Sequence, residues 1–308
     1  MSSTVRILVC DPIHPDGVEL LKNEGFSVDL RPGISHEELR EAVGGYDALI
    51  VRGRTKVNRE ILEAGRRLKV VGRAGVGLDN IDLGAAKEMG ITVLNTPEAS
   101  TEAVAELVVG LMLSLARRIP YADTAMKEGR WVKKELMGWE LRGKTLGIIG
   151  FGRIGRRVSE VAYALGMRIL TYDVIELPAE ALRKVEARQV PLEEVLHESD
   201  VITLHVPLLP QTYHMIDEEK ISMMKDGAYI VNASRGGVID EKALLKALRD
   251  GKLAGAALDV YEVEPPTNLE LIRMPNVVCT PHIGAQTEEA QRQASVQIAQ
   301  KIIRELKK

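Results

Sequence analysis

The first hundred residues alternate short apolar, β-branched runs with helical stretches. The apolar runs occupy residues 5–11, 26–31, 48–53, 68–75 and 91–97. Helical patterns lie between them, with Asn58 placed to cap REILEAG and Asp79 or Asn80 placed to start IDLGAAKEMG. Continuous apolar strands separated by helices predict a parallel sheet that is covered on both faces.

A long apolar helix and a second alternation follow. The segment TEAVAELVVGLMLSLARRI (101–119) is apolar on more than one face and is expected to end at Pro120. Such helices are usually buried between layers or in a subunit interface. Beyond it, apolar strands recur at 201–207, 228–234, 254–260 and 277–285. A last helical stretch from 287 to about 306 has no strand of its own to cover there, so we expect it to pack on the first domain.

A glycine-rich turn opens the second alternation. The pattern predicts a strand, a turn, a helix, a second strand and an acid in the segment TLGIIGFGRIGRRVSEVAYALGMRILTYD, with glycines at 150, 152 and 155. Gly150 allows a tight turn, Gly152 lets the backbone approach a pyrophosphate, and Gly155 lets the helix pack closely on the sheet. Asp173 lies 18 residues after the last glycine, where a carboxylate can accept ribose hydroxyls and repel a 2′-phosphate. The pattern predicts a dinucleotide site that prefers NAD to NADP.

These patterns predict an α/β protein with two doubly wound parallel-sheet domains. We expect a flavodoxin-like substrate domain made of residues 1–98 and 286–308, and a Rossmann-type NAD-binding domain at 99–285. The chain would then cross between domains near 97–101 and 285–288. A cleft between two such domains is the natural place for an active site.

Composition excludes several other classes of protein. The 308 residues are 45% hydrophobic and 28% charged, as in globular enzymes. A net charge of −3 gives no reason to expect a nucleic acid or an anionic membrane as partner. The longest apolar stretch (107–116) is too short to span a bilayer, and no secretory signal is recognisable, so we expect a cytoplasmic protein. Cys10 and Cys279 both lie in apolar runs and are expected to be buried.

Three polar residues follow predicted strands of the second half. They are Arg235, Glu264 and His282, and the carboxyl ends of parallel strands face the ligand crevice of such sheets. An imidazole can take the proton of an alcohol while hydride leaves the same carbon, and a neighbouring carboxylate can orient it. An arginine offers a planar, two-pronged contact to a carboxylate. The three residues therefore predict a catalytic site for alcohol oxidation, and no His, Cys or carboxylate spacing suggests a metal.

Several motifs make a family resemblance specific. The motifs that carry this resemblance are, in order, GFGRIGR, NASRGGVID, ALDVYEVEPP and TPHIGAQTEEA. The chain resembles the D-isomer-specific 2-hydroxyacid dehydrogenase family over essentially its whole length. RAGVGLDNID, WVKKELMGWELRGKTLGIIGFGRIG and HVPLLPQT are most similar to its phosphoglycerate dehydrogenase branch. The resemblance implies NAD-dependent oxidation of D-3-phosphoglycerate in serine biosynthesis. His282 would be the acid–base group, Glu264 its partner, and Arg235 the anchor of the substrate carboxylate and C2 oxygen.

The same resemblance assigns the binding residues. It implies that the backbone N–H groups of Gly75, Val76 and Gly77 hold the substrate carboxylate. In addition to the turn glycines Gly150, Gly152 and Gly155, it places NAD contacts at Arg153, Ile154, Asp173, Val206, Pro207, Ala233, Asp259, Gly284 and Ala285, with Asp259 on the nicotinamide amide.

The phosphate of such a substrate requires cations. By resemblance, Arg52 and Arg54 of one subunit and Lys133 and Lys134 of the other would supply them, in a homodimer joined through the cofactor domains. Gly53 replaces a serine and Val76 a threonine of many relatives, and each change removes a possible hydroxyl contact. The chain stops at Lys308, after the closing helix, and we therefore expect no feedback inhibition by serine.

Other functions share these motifs. A glyoxylate/hydroxypyruvate reductase or a D-lactate dehydrogenase of the same family has the same triad and a different substrate pocket. A formate dehydrogenase is disfavoured, because that relative has glutamine where this chain has Glu264. An NAD-sensing binding protein is a third class, although this chain lacks the low-complexity terminal segments of a recruitment scaffold.

Overall fold

In the computed structural model, which describes residues 4–308, the chain divides into two units that each have their own parallel sheet. The first unit comprises the residues up to Thr101 together with Ala285–Lys308, and the second comprises Glu102–Gly284. The prediction of an α/β fold with two parallel-sheet domains is confirmed.

Five four-residue strands form the sheet of the first unit. They are β1 (Arg6–Val9), β2 (Ser27–Leu30), β3 (Ala48–Val51), β4 (Val70–Arg73) and β5 (Thr92–Asn95). Their order is β2-β1-β3-β4-β5 with every pair parallel, which is the flavodoxin-like order. The helices of this unit are α1 (Pro15–Asn23), α2 (His36–Ala42), α3 (Arg59–Ala64), α4 (Leu83–Glu88) and, at the end of the chain, α13 (Glu288–Leu306).

The closing helix α13 covers one face of this sheet. Ile298 and Ile302 are fully buried and lie against Gly72 of β4. A Cβ atom at Gly72 would come within 2.6 Å of Ile302 Cδ1, so only glycine permits this close approach of helix and strand. The helix begins with Thr287, whose hydroxyl accepts a hydrogen bond from the Ala290 N–H at 3.1 Å.

Side-chain caps fix two other helix starts. Asn58 caps α3 as predicted, because its Oδ1 accepts from the Ile61 N–H at 3.2 Å. The predicted start of α4 is wrong: Asp82 caps it, with Oδ1 accepting from the Ala85 N–H at 2.8 Å. Asn80 is unavailable as a cap, since its amide donates to the carbonyl oxygens of residues 52 and 55.

Seven strands form the sheet of the second unit. They are β6 (Thr145–Ile149), β7 (Arg168–Tyr172), β8 (Arg188–Gln189), β9 (Val201–Leu204), β10 (Ala228–Asn232), β11 (Leu253–Leu258) and β12 (Val277–Cys279). The order β12-β11-β10-β9-β6-β7-β8 is the Rossmann order with one further strand. The order in which strands are added reverses between β6 and β9, and ligands of such sheets bind beside the carboxyl ends of these two strands.

Eight helices flank this sheet. They are α5 (Thr101–Arg117), α6 (Ile119–Lys127), α7 (Arg153–Ala164), α8 (Ala179–Arg183), α9 (Leu192–Glu198), α10 (Glu218–Met223), α11 (Glu241–Arg249) and α12 (Leu269–Ile272). Short 3₁₀ segments occur at Val43–Gly45, Lys133–Glu135 and Gly236–Val238.

The long apolar helix differs from the prediction in where it ends. It stops at Arg117, and Arg118 adopts a left-handed conformation with φ of 51° before α6 begins. Pro120 therefore lies in the first turn of α6, where its missing N–H is not needed. Val108, Met112 and neighbouring side chains of α5 are buried in the core of the second unit.

The two cysteines have different environments. Cys10 is fully buried, as predicted, whereas the prediction that Cys279 is buried is wrong. Cys279 is the last residue of β12, which is an edge strand with only β11 beside it, so its side chain reaches solvent. Among residues 4–308, no helix is both long and apolar enough to cross a membrane.

Candidate active site

The turn after β6 has the geometry of a dinucleotide-binding turn. Gly150 adopts φ of +93°, and a Cβ atom there would approach the His205 carbonyl oxygen to 2.6 Å. A Cβ atom at Gly155 would lie 2.2 Å from the Gly150 carbonyl oxygen, so α7 packs against the turn only with glycine there. A Cβ atom at Gly152 would meet nothing within 4 Å, which leaves open space beside the turn.

The acid at the end of β7 is joined to this turn. Asp173 follows β7 directly, and its Oδ2 accepts a hydrogen bond from the Phe151 N–H at 2.8 Å. Gly152 occupies the N-cap position of α7 and supplies no side-chain cap, and a helix N-terminus of this kind favours an anionic group. Space, uncapped helix and acid together fit the pyrophosphate and ribose of NAD.

The other predicted NAD residues of this unit lie at the carboxyl ends of its strands. Val206 follows β9 and lies against the turn, since its Cγ1 would be 2.9 Å from a Cβ atom at Gly150. Pro207 comes next and is exposed, and Ala233 follows β10. Arg153 and Ile154 are the first residues of α7. Gly284 ends the second unit, whereas Ala285 belongs to the first.

His282 and Glu264, which the sequence predicts as an acid–base pair, are in direct contact. The Nδ1 atom of His282 lies 2.7 Å from Oε2 of Glu264, with the two side chains 51% and 39% exposed. Burial acts to raise the pKa of Glu264, but the hydrogen bond and the charge of His282 outweigh it, so this pKa is lowered. Glu264 is therefore ionised at neutral pH and orients the imidazole, which leaves Nε2 as the ring nitrogen available to a substrate.

A buried aspartate holds the loop that carries His282. Asp259 is 1% exposed, and its Oδ1 accepts hydrogen bonds from the Thr280 hydroxyl at 2.6 Å and the Ile283 N–H at 2.8 Å. Its Oδ2 accepts from the Gly284 N–H at 2.9 Å. His282 itself has φ of +54°, a left-handed conformation that is unfavourable for a residue with a side chain. The three hydrogen bonds that the Asp259 carboxylate accepts keep the loop in this conformation.

The loop that carries Glu264 is fixed by its neighbours. The Tyr261 hydroxyl lies within 3.1 Å of the carbonyl oxygens of Leu258 and Thr280, and thereby joins this loop to the loop of His282. Glu262 Oε1 accepts a hydrogen bond from the Glu241 N–H at 3.0 Å, and Glu241 Oε1 accepts one from the Glu262 N–H at 2.8 Å. Neither glutamate nor Tyr261 was predicted, although the position of Tyr261 directly after the predicted strand at 254–260 was a usable signal.

Arg235 lies on a turn shaped by Asn232. The Asn232 amide donates to the Arg235 carbonyl oxygen at 2.9 Å, and its Oδ1 accepts from the Ser234 N–H at 3.0 Å. The guanidinium donates to the Ser234 carbonyl oxygen at 2.7 Å. Its positive charge acts in the direction that lowers the pKa of Glu264, as the smallest of the contributions.

In the first unit, the predicted carboxylate-binding loop is held by its carbonyl groups. Asn95 donates to the Val76 carbonyl oxygen at 2.7 Å, and Thr96 donates to the Gly75 carbonyl oxygen at 2.9 Å. None of the described residues accepts a hydrogen bond from the N–H groups of Gly75, Val76 or Gly77. The loop thus presents three donors, as a carboxylate site requires.

Asp11 organises the loop that carries the predicted phosphate ligands. It is 1% exposed, and its Oδ2 accepts from the Arg52 N–H at 2.6 Å and the Thr55 N–H at 3.2 Å. Its Oδ1 accepts from the Arg54 Nε at 3.4 Å. Burial lowers the pKa of Arg52, with Asp11 opposing this effect. Asp11 was not predicted, although an acid two residues after β1, at the carboxyl edge of the sheet, was a signal.

Lys133 and Lys134 begin the 3₁₀ segment of the second unit and are exposed. The structure therefore joins His282 to Glu264 directly and places Arg235 close enough to influence Glu264. Arg52, Arg54 and Gly75–Gly77 belong to the first unit.

Comparison with known proteins identifies the second unit. Residues 109–284, more than half of the chain, match the family model described as "D-isomer specific 2-hydroxyacid dehydrogenase, NAD binding domain". The prediction of NAD as cofactor is confirmed by this match.

Two curated relatives align with nearly all of the chain. D-3-phosphoglycerate dehydrogenase of Methanocaldococcus jannaschii is 50% identical over 97% of this chain, and the chain spans 57% of that protein. Hydroxypyruvate reductase of Thermotoga maritima is 49% identical over 98% of both chains. The chain thus spans little more than half of the first relative and almost all of the second.

A solved structure has the same architecture. D-lactate dehydrogenase of Aquifex aeolicus, crystallised with NAD and lactic acid, superimposes with a TM-score of 0.87 at 34% identity, covering 98% of this chain and 95% of that one.

Proposed function

This chain belongs to the D-isomer-specific 2-hydroxyacid dehydrogenase family, and on that premise we propose that it oxidises D-3-phosphoglycerate to 3-phosphohydroxypyruvate. The observation that carries the oxidation is the 2.7 Å contact between His282 Nδ1 and Glu264 Oε2. The similarity to D-3-phosphoglycerate dehydrogenases supports the substrate.

When bound, NAD supplies the hydride acceptor for C2 of the substrate. His282 takes the C2 hydroxyl proton on Nε2, because Nδ1 faces Glu264. Glu264 stabilises the imidazolium that results, and its lowered pKa keeps it ionised for this purpose. Hydride and proton leave the C2 carbon and its oxygen, and a carbonyl group remains there.

The substrate carboxylate requires donors, and two sets are available. Arg235 offers a guanidinium, and the N–H groups of Gly75, Val76 and Gly77 offer a backbone site whose carbonyls are already held. The phosphate would be bound by Arg52 and Arg54, whose loop is fixed by buried Asp11.

Lys133 and Lys134 would complete the phosphate site from the other subunit of a homodimer. Support comes from the exposed apolar side chains that flank them, since Trp131 is 78% and Met137 is 91% exposed. A light-scattering mass near twice 33.9 kDa is expected, and a mass near 33.9 kDa would contradict the shared site.

The experiment that tests the substrate compares initial rates with NADH and two oxo-acids, 3-phosphohydroxypyruvate and hydroxypyruvate. We expect kcat/KM to favour the phosphorylated acid by more than about a hundredfold, which corresponds to about 2.7 kcal/mol. Arg54→Gln should remove most of this preference, while the rate with hydroxypyruvate stays nearly unchanged.

The second candidate is a hydroxypyruvate or glyoxylate reductase. The relative that matches this chain over 98% of both lengths has the name hydroxypyruvate reductase. Equal or reversed kcat/KM for the two oxo-acids would favour this function and reject the phosphorylated substrate, with the roles of His282 and Glu264 unchanged.

A further inference from the structure

A cavity of about 400 Å³ lies in the first unit between β5 and the end of α13. It is lined by residues 93–95 of β5 and by Lys301, Arg304, Glu305 and Lys308. The strand β5 is the edge of its sheet, with only β4 beside it. None of the residues proposed for catalysis or for NAD binding lines this cavity, so it is a separate candidate site.

The charged side chains of the cavity carry an excess of positive charge. Three are cationic, and the single carboxylate, Glu305, contacts Lys308 Nζ at 2.6 Å and the Thr92 hydroxyl at 3.4 Å. Lys301 donates to the Asn95 carbonyl oxygen at 2.7 Å and lies 3.8 Å from Oε2 of Glu98, which does not line the cavity. Arg304 has no hydrogen-bond or ion-pair partner within residues 4–308, so its guanidinium keeps its donors for a ligand.

The strand edge adds backbone donors. The Thr92 N–H donates to the Lys69 carbonyl oxygen, on the side of β4. Because hydrogen bonds to a neighbouring strand alternate along the chain, the N–H groups of Val93 and Asn95 are directed to the open edge. A guanidinium beside free backbone N–H groups is an arrangement that binds the oxygens of phosphate.

We propose that this cavity binds a phosphate group, either as inorganic phosphate or as part of a small metabolite, through Arg304, Lys301 and the edge N–H groups of β5. The proposal goes beyond the proposed function and does not depend on it. Binding here involves neither the cofactor nor the substrate of the oxidation.

Arg304 is the residue to replace in a test. Lys301 donates a hydrogen bond to the Asn95 carbonyl oxygen, and the Asn95 side chain donates one to the Val76 carbonyl oxygen. Replacing Lys301 would therefore also disturb the loop proposed to bind the substrate carboxylate. Lys307 provides a matched control, because it is a cation at the end of α13 that pairs with Glu24 and does not line the cavity. All variants are made in an Arg54→Gln background, which weakens the other proposed phosphate site.

The protein without cofactor is titrated with inorganic phosphate, and separately with glycerol 1-phosphate, by calorimetry and by amide NMR. We expect saturable binding with shifts of the Val93 and Asn95 amide signals, weakened at least about tenfold by Arg304→Gln and unchanged by Lys307→Gln. A higher affinity for glycerol 1-phosphate than for inorganic phosphate would identify a site for a phosphorylated metabolite. A higher affinity for inorganic phosphate would identify a site for the free ion. Shifts of the Val93 and Asn95 amide signals that survive Arg304→Gln, or the absence of such shifts at saturating phosphate, would overturn the proposal.

Discussion

The carboxylate of Asp259 accepts a hydrogen bond from the backbone N–H of Ile283 at 2.8 Å. Ile283 follows His282, so a buried acid after β11 sets the position of the His282 imidazole through the main chain. Asp259→Ala would leave the Thr280, Ile283 and Gly284 donors without an acceptor in a buried site. We expect the free energy of unfolding to fall by about 3 kcal/mol and kcat to fall by about a hundredfold, measured by urea denaturation and initial rates.

The same variant separates two roles of Asp259. If its main role were the predicted contact with the nicotinamide amide, NAD affinity would fall while stability stayed unchanged. Fluorescence titration with NADH decides between the roles, and Asp259→Asn, which keeps one acceptor oxygen, should show a smaller loss of stability.

His282 and Glu264 should behave as one catalytic unit. His282→Ala is expected to lower kcat by about 10²–10⁴, because the general base is lost while the NAD site stays intact. Glu264→Gln should lower kcat less. Because Glu264 acts through the imidazole, the double variant should be no slower than His282→Ala alone. Multiplicative losses in kcat would show that Glu264 contacts the substrate independently.

The local parts of the site could be predicted from sequence because their chemistry is local. Gly150 and Gly155 are required by one turn, Gly152 leaves open space beside it, and Asp173 directly follows the next strand. His282 and Glu264 were predicted from their positions after strands of one parallel sheet, and their contact follows from the pairing of β11 with β12.

The supporting residues could not be predicted because their partners are far apart in sequence. The carboxylate of Asp11 accepts hydrogen bonds from residues 41 to 44 positions away in the sequence. The carboxylate of Asp259 accepts hydrogen bonds from residues 21 to 25 positions away. Which donors meet such an acid depends on strand register. The start of α4 shows the same limit, since Asn80 could have capped the helix and instead bonds two distant carbonyl groups.

Asp173 should determine the choice between NAD and NADP. Asp173→Asn keeps an acceptor for the Phe151 N–H but removes the charge that repels a 2′-phosphate. We expect KM for NAD to rise about tenfold and the preference for NAD over NADP to narrow, with stability unchanged. An unchanged ratio of kcat/KM for the two cofactors would assign the preference to another residue.

The two thiols should react at different rates. Burial raises the pKa of the Cys10 thiol to about 12, so at pH 8 it is both protonated and inaccessible. Cys279 is exposed at the sheet edge. An aromatic disulfide reagent should label one thiol in the folded protein and two after unfolding in urea, and Cys279→Ser should leave none to label in the folded state. Labelling of the folded Cys279→Ser variant would contradict the burial of Cys10.

Ionisation of the Glu241 carboxyl should lower the free energy of unfolding as the pH rises. Burial raises its pKa, and the charges of Glu262 and Asp240 act in the same direction, against hydrogen bonds that lower it. A carboxyl whose pKa is higher in the folded state stabilises the protein at low pH and loses that contribution as pH rises from about 4.5 through the folded pKa. Glu241→Gln keeps an acceptor for the Glu262 N–H and removes the titration. The variant should therefore gain stability relative to the native protein between pH 4.5 and 8 in urea unfolding.

Glu288→Gln, at the exposed first position of α13, is the control and should show no such gain. Parallel pH profiles for the native protein and Glu241→Gln would mean that burial does not penalise this charge.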